Sequence, residues 1–189
     1  MPSSTESAFV GIAQSVAQAI LKPPFLVERG QPLLYELKVS DSLEVMQPAQ
    51  VKKPRRGSSA FETDLCIFEQ LDEDVRIPRV VIEFKTGITT HDVLTYSAKA
   101  ERHKRIYPYL RYGMLASSEK AVPGRVFTHN ESLDFFFAVA GLSEEQFKAD
   151  LAHLLEAEVQ ASKLLQAIAY GRISTRLFRT EPSARQSAA

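Results

Sequence analysis

The chain holds one cysteine, Cys66, in 189 residues, so no internal disulfide framework supports it and a reducing compartment suits it. Cys66 lies in an apolar run, where a small buried hydrophobe is expected rather than a nucleophile. No stretch approaches the ~18 consecutive apolar residues of a membrane span. The first amphipathic segment lacks a basic leader and is broken by Gln14, Ser15 and Gln18, unlike a signal peptide. A cytoplasmic protein with no membrane partner is therefore expected. The eight glycines are dispersed and none belongs to a Gly-Lys-Ser/Thr sequence, which excludes the usual nucleotide-binding loop. His91, His103, His129 and His153 are scattered, with no pair at zinc-ligand spacing. Internal repeats are absent, and so is a net charge, since 23 Lys plus Arg balance 23 Asp plus Glu.

At 44% hydrophobic residues the chain can bury one substantial core. Phe9, Ile12, Ala13, Val16, Ile20 and Leu21 recur at helical spacing within Ser4 to Lys22, and Pro23-Pro24 ends that helix. Strands are expected at Leu33 to Val39, Phe61 to Gln70, Val75 to Thr86 and Tyr109 to Ala116. Between the last two, Thr89-Thr90 with Asp92 starts a helix from His91 that stops before Pro108. Leu133 to Ala140 reads as a buried strand. Ser143 with Gln146 then makes a capping box for a long helix reaching Tyr170 and Gly171. Hairpin strands apolar on both faces imply a sheet covered on two sides by helices, an α/β fold. One domain over 1–181 with a loose tail at 182–189 is expected.

Two charged sites interrupt the apolar hairpin. Phe61-Glu62-Thr63-Asp64-Leu65-Cys66-Ile67-Phe68 carries Asp64, and Arg79-Val80-Val81-Ile82-Glu83-Phe84-Lys85 carries Glu83 and Lys85 two apart, hence on one face. Gln70 to Val75 is polar and turn-rich. Counting outward equally from a tight turn at Glu73-Asp74 pairs Asp64 with Glu83, their Cβ atoms roughly 5 Å apart, with Lys85 diagonal to them. A slip of one residue, which a bulge at Pro78 would cause, would send Asp64 to the opposite face, so the site depends on register. Paired carboxylates of this kind suit Mg²⁺ or Mn²⁺, and the lysine adds positive charge for a developing anion or for deprotonating a water. The bland alternative is a cross-strand salt bridge. Glu36 and Lys38 repeat the triplet, but no acid-bearing apolar strand precedes them, and they read as the solvated side of a strand.

An acid followed by acid-x-lysine on a hairpin resembles the PD-(D/E)XK nuclease superfamily, which includes many type II restriction endonucleases. The resemblance rests on Asp64, with Thr63 where the family name has proline, and on Glu83-Phe84-Lys85. It implies a restriction-endonuclease-like mixed central sheet with core order αβββαβ, followed here by the long C-terminal helix. It also implies a metal-dependent endonuclease acting on duplex DNA. Asp64, Glu83 and the main-chain carbonyl of Phe84 would hold Mg²⁺, and Lys85 would assist the attacking water. A repair or recombination nuclease, or a DNA-binding or assembly protein that kept the fold without the activity, are the alternatives.

Asp92, Tyr96, Lys99 and His103 share one face of the helix after the hairpin and are candidates for contacting phosphate or supporting the metal site. The exonuclease-like branch of the superfamily has Gln-x-x-x-Tyr here, where this chain has Asp92-x-x-x-Tyr96. Lys52, Lys53, Arg55 and Arg56, just before the first hairpin strand, are candidates for binding DNA phosphates. More basic residues fall at Arg102 to Arg105 and at Arg172, Arg176, Arg179 and Arg185. Phe147, Leu151, Leu154, Ala161, Leu165 and Ile168, widened by Leu155, Val159 and Leu164, would cover the sheet or extend into a homodimer interface, as a palindrome-cutting enzyme needs.

Overall fold

Cys66 and Ile67 project from opposite faces of one strand, yet both are fully buried, as are Val81 and Ile82. A strand hides both faces only within a sheet covered on both sides. The computed structural model describes residues 6–46, 51–57 and 59–176 and has that arrangement. In chain order the elements are α1 (Glu6–Ile20), β1 (Phe25–Leu34), β2 (Lys38–Val39), β3 (Val45–Met46), β4 (Ala60–Asp72), β5 (Val75–Lys85), α2 (Thr90–Ile106), β6 (Arg111–Ala116), α3 (Gly124–His129), β7 (Phe135–Ala138) and α4 (Glu144–Ala169). The main sheet runs β1-β4-β5-β6-β7, antiparallel across β1, β4 and β5 and parallel from β5 to β7. It is thus a mixed α/β sheet.

Strand alternation sorts the core into two layers. Leu65, Ile67, Ile82 and Phe84 pack with Phe9 and Ala13 of α1 and with Phe147 and Leu151 of α4. Cys66, Phe68, Val81 and Tyr112 pack on the other face with Val93 and Ala100 of α2 and Val126 of α3. Leu155 and Val159 of α4 are also buried against the sheet, so most of its apolar stripe is used within the chain, whereas Leu164 stays exposed. β6 and β7 approach closely at Gly113, where an added Cβ would come within 2.3 Å of the Phe135 ring. Among the described residues, no helix is long and apolar enough to cross a membrane.

The strand expected at Leu33 to Val39 is displaced. β1 begins at Phe25 and ends at Leu34, because it pairs along β4 from Phe25 opposite Glu69 to Leu34 opposite Ala60. Its Arg29-Gly30 and Pro32 look like strand breakers but are tolerated. Gly30 adopts a positive φ of 62°, and proline is compatible with an edge strand. Lys38–Val39 instead pairs with Val45–Met46 in a separate two-stranded sheet, which was not anticipated, nor was α3. The expected boundary at 181, the tail 182–189 and Arg179 and Arg185 lie outside the described residues.

The hairpin register has two irregularities that cancel. Asp72 faces Val75 around the Glu73-Asp74 turn, but one residue is then extra on β4 at Leu71 and one on β5 at Arg79. Beyond them Ile67 faces Val80, Cys66 faces Val81 and Leu65 faces Ile82, the pairing that equal counting from the turn requires. The irregularity next to Pro78 is real, and its compensation leaves Asp64 on the same face as Glu83. A bulge also re-aims the side chain it adds. Arg79 turns towards α4, donating to Glu69 at 2.8 Å and to Gln166 at 2.8 Å in a buried cluster.

Candidate active site

Asp64 and Glu83 both lie on the α2-facing side of the sheet, at the end of the hairpin remote from its turn. The Asp64 carboxylate accepts the Phe84 N–H at 2.8 Å. On the other edge of β5 the Lys85 carbonyl accepts from Ser117 N–H at 2.9 Å. Because successive residues alternate the edge they address, the Phe84 carbonyl points back towards β4 and Asp64. The two carboxylates share this face closely enough for the Asp64 charge to act on Glu83, and the Phe84 carbonyl addresses the same edge of β5; oxygens of these kinds are the hard donors that suit Mg²⁺. Among the described residues, no group of three or more His, Cys, Asp and Glu side chains is gathered for a metal. Any cation here would rest on these two acids, the carbonyl and solvent or substrate oxygens.

Glu83 is held by two neighbours. Lys99 of α2 donates to its carboxylate at 2.6 Å, and the Tyr112 hydroxyl of β6 donates to the same oxygen. Only 1% of Glu83 is exposed. Burial drives its carboxyl up to about 7; the Asp64 charge pushes the same way, and the Lys99 ammonium and Tyr112 hydroxyl hold it back. Near neutral pH this acid is poised between its two forms. Lys99 also donates to the Glu62 carbonyl at 2.6 Å, fixing the ammonium between β4 and β5.

Lys85 leaves the end of β5 in another direction. Its ammonium stands 5.5 Å from the Tyr96 ring centroid and 3.7 Å from Glu6 at the start of α1. Burial works against this ammonium, but the Tyr96 oxygen, Glu6 and Asp92 outweigh it and raise its pKa above the ordinary lysine value. Lys99 lies 5.7 Å from the same ring, so Tyr96 neighbours both cations.

The polar stripe on α2 therefore divides. Lys99 reaches the Glu83 carboxylate, and Tyr96 lies beside the ammonium groups of Lys85 and Lys99. Asp92 is engaged in the capping box, its carboxylate accepting the Thr89 N–H at 2.8 Å and hydroxyl at 2.6 Å, so its first task is to start the helix. His103 corrects the expectation of a phosphate contact, for it is wholly buried between Phe61 and Tyr112. Its Nδ1 lies 2.8 Å from the Leu34 carbonyl, which assigns the proton to Nδ1, while Nε2 has no partner. Burial lowers its pKa to about 4, so the ring is neutral at pH 7.

Of the basic loop, Lys52, Lys53, Arg55 and Arg56 are all exposed. Lys53 lies 4.0 Å from Asp74 of the hairpin turn, whereas Arg56 approaches Glu62, next to the site, at 3.3 Å. Glu36 and Lys38 pair with each other at 3.3 Å at the surface. Tyr112 is a partner that sequence reasoning missed. The signal was a tyrosine in the apolar strand expected after the helix, and the parallel pairing of Tyr112 with Val81 sets it on the carboxylate's side. No protein-family model matches the chain, and no curated protein matches it significantly.

Proposed function

We propose that the chain is a metal-dependent phosphodiesterase acting on duplex DNA, similar to a restriction endonuclease of the PD-(D/E)XK superfamily. The supporting observation is that the register carries Asp64 and Glu83 to one face of the β4–β5 hairpin, with the Asp64 carboxylate on the Phe84 N–H and Lys85 at the end of β5. These three groups would hold Mg²⁺ or Mn²⁺, which when bound supplies Lewis-acid polarisation of the phosphodiester and an acidified water. The cationic Lys85 would stabilise charge developing on the phosphoryl oxygens. Lys99 would yield part of Glu83 to the cation and keep its own positive charge beside the backbone. The order α1, β1, β4, β5, α2, β6, with β2–β3 inserted, accords with the superfamily's core. A cytoplasmic location and a homodimer with two-fold symmetry belong to the restriction-type form of this reading.

One observation favours a second reading. Lys99 already neutralises Glu83, and Lys85 is drawn to Glu6, as in a nuclease-like DNA-binding protein that no longer cuts. Incubation of circular and of linearised plasmid with Mg²⁺ separates the readings. Discrete fragments support the restriction type, progressive loss from ends a repair-type nuclease, and retention without cutting the inactive form. Asp64→Asn and Lys85→Ala should abolish cutting and Glu36→Gln and Lys38→Ala should not; cutting that survives Lys85→Ala would overturn the assignment.

A further inference from the structure

A cavity of about 550 Å³ opens beside the carboxylates, bordered by Tyr35, Arg56, Phe61, Glu62, Lys99 and Arg102 among others. That volume falls within the range of sites for small organic ligands. Lys99 belongs to both places, lining the cavity while its ammonium touches Glu83 at 2.6 Å. A chain whose phosphate sat at the carboxylates would therefore have its neighbouring nucleotide at the mouth of this cavity.

The lining matches a nucleotide in two respects. It carries three cations, of which Arg56 is paired with Glu62 and Lys99 with Glu83, so the excess positive charge of the lining is that of Arg102. Its floor is aromatic, with Tyr35 and Phe61 stacked at 3.9 Å between centroids and 13° between planes. Phe61 is backed by the buried His103 ring at 6.0 Å, so the stack rests on the core. The guanidinium of the exposed Arg102 lies 5.9 Å from the Tyr35 centroid, at the outer limit of a cation–π contact. Ring and guanidinium are thus neighbours without a tight contact between them. Unstacked bases are taken up between such groups, because every base has a π-face and its phosphates are drawn to the surrounding cations.

We infer that this cavity receives one unpaired nucleotide, its base against Tyr35 and under Arg102, next to the phosphodiester held at Asp64 and Glu83. The inference rests on the phosphodiesterase reading for its geometry. It narrows the substrate to DNA with a base out of the stack beside the cut, such as a frayed end, a flap or a flipped nucleotide.

Binding measured without divalent cations tests the cavity independently of cutting. The probes are a fluorescein-labelled oligothymidylate of about 12 nucleotides, within the span of single-strand binding sites, and a blunt duplex. Tyr35→Ala should weaken single-strand binding about 5- to 150-fold, the range of one lost base stack. Tyr35→Phe should restore it, and duplex affinity should stay unchanged. Arg102→Gln, at an exposed position, should act in the same direction and carries the test if Tyr35→Ala fails to fold. Unchanged oligothymidylate affinity in Arg102→Gln, equal losses for both probes, or no binding of oligothymidylate by the unaltered chain would each overturn the inference. If these losses occur as expected while Asp64→Asn still cuts plasmid, the carboxylate site is wrong and the cavity stands. If Asp64→Asn abolishes cutting and Arg102→Gln binds normally, the cavity alone is wrong.

Discussion

Replacing Glu83 by glutamine isolates the titration of the most buried acid at the site. Glutamine keeps the side-chain shape and can still accept from Tyr112 and Lys99, but it does not titrate. The carboxyl's ordinary value of 4.5 is raised to about 7 at a position only 1% exposed. At about 1.4 kcal/mol per pH unit, this is worth about 3 kcal/mol. A raised pKa means that the folded chain binds the proton more tightly. The stabilisation is complete below pH 4.5 and is lost as pH rises through about 7. His103 works in the opposite direction. Its value falls from 6.5 to about 4, so its contribution is complete above pH 6.5 and is lost as pH falls through about 4. The two nearly offset each other between pH 4.5 and 6.5, which is why the difference between variant and parent is the informative quantity. Urea unfolding of both proteins with a chelator, from pH 4.5 to about 8, should show Glu83→Gln gaining about 3 kcal/mol relative to the unaltered chain. A difference that stays constant across that range refutes the argument that burial perturbs Glu83.

Two further substitutions test other parts of the structure. Asp92→Ala removes half of the α2 capping box and should cost about 1 kcal/mol in urea unfolding, with plasmid cleavage retained; loss of cleavage in a folded variant would give Asp92 a chemical role. Gly113→Ala puts a methyl group 2.3 Å from the Phe135 ring and should destabilise by about 1–3 kcal/mol, read as a lower Tm. An unchanged Tm would mean that β6 and β7 separate more easily than their packing indicates.

Local signals marked the elements whose edges are set by local chemistry. Thr89 with Asp92 and Ser143 with Gln146 start helices where the sequence indicates, because a cap needs only residues three apart. β1 escaped the same reading because its pairing partners lie 26 to 44 residues away, and pairing with β4 overrode the poor strand character of Arg29-Gly30 and Pro32. α2 shows the limit of a face read from spacing. Tyr96, Lys99 and His103 do follow one stripe, but spacing carries no depth: Lys99 meets Glu83, and His103 lies under Phe61 in the core.

The sequence by itself determined that two acid-bearing apolar strands flank a turn, and that Glu83 and Lys85 share a face, since both follow from short-range periodicity and turn chemistry. Only the tertiary structure decided that Asp64 stands beside them. A bulge at Pro78 alone would have reversed its side, and the opposing irregularity at Leu71 restored it, a cancellation that depends on how β4 and β5 pair along their whole length. The same is true of the charge at the site. Whether Glu83 holds its proton is set by burial, by Lys99 from α2 and by Tyr112 from β6, groups 16 and 29 residues away in the chain that only folding brings within hydrogen-bonding distance.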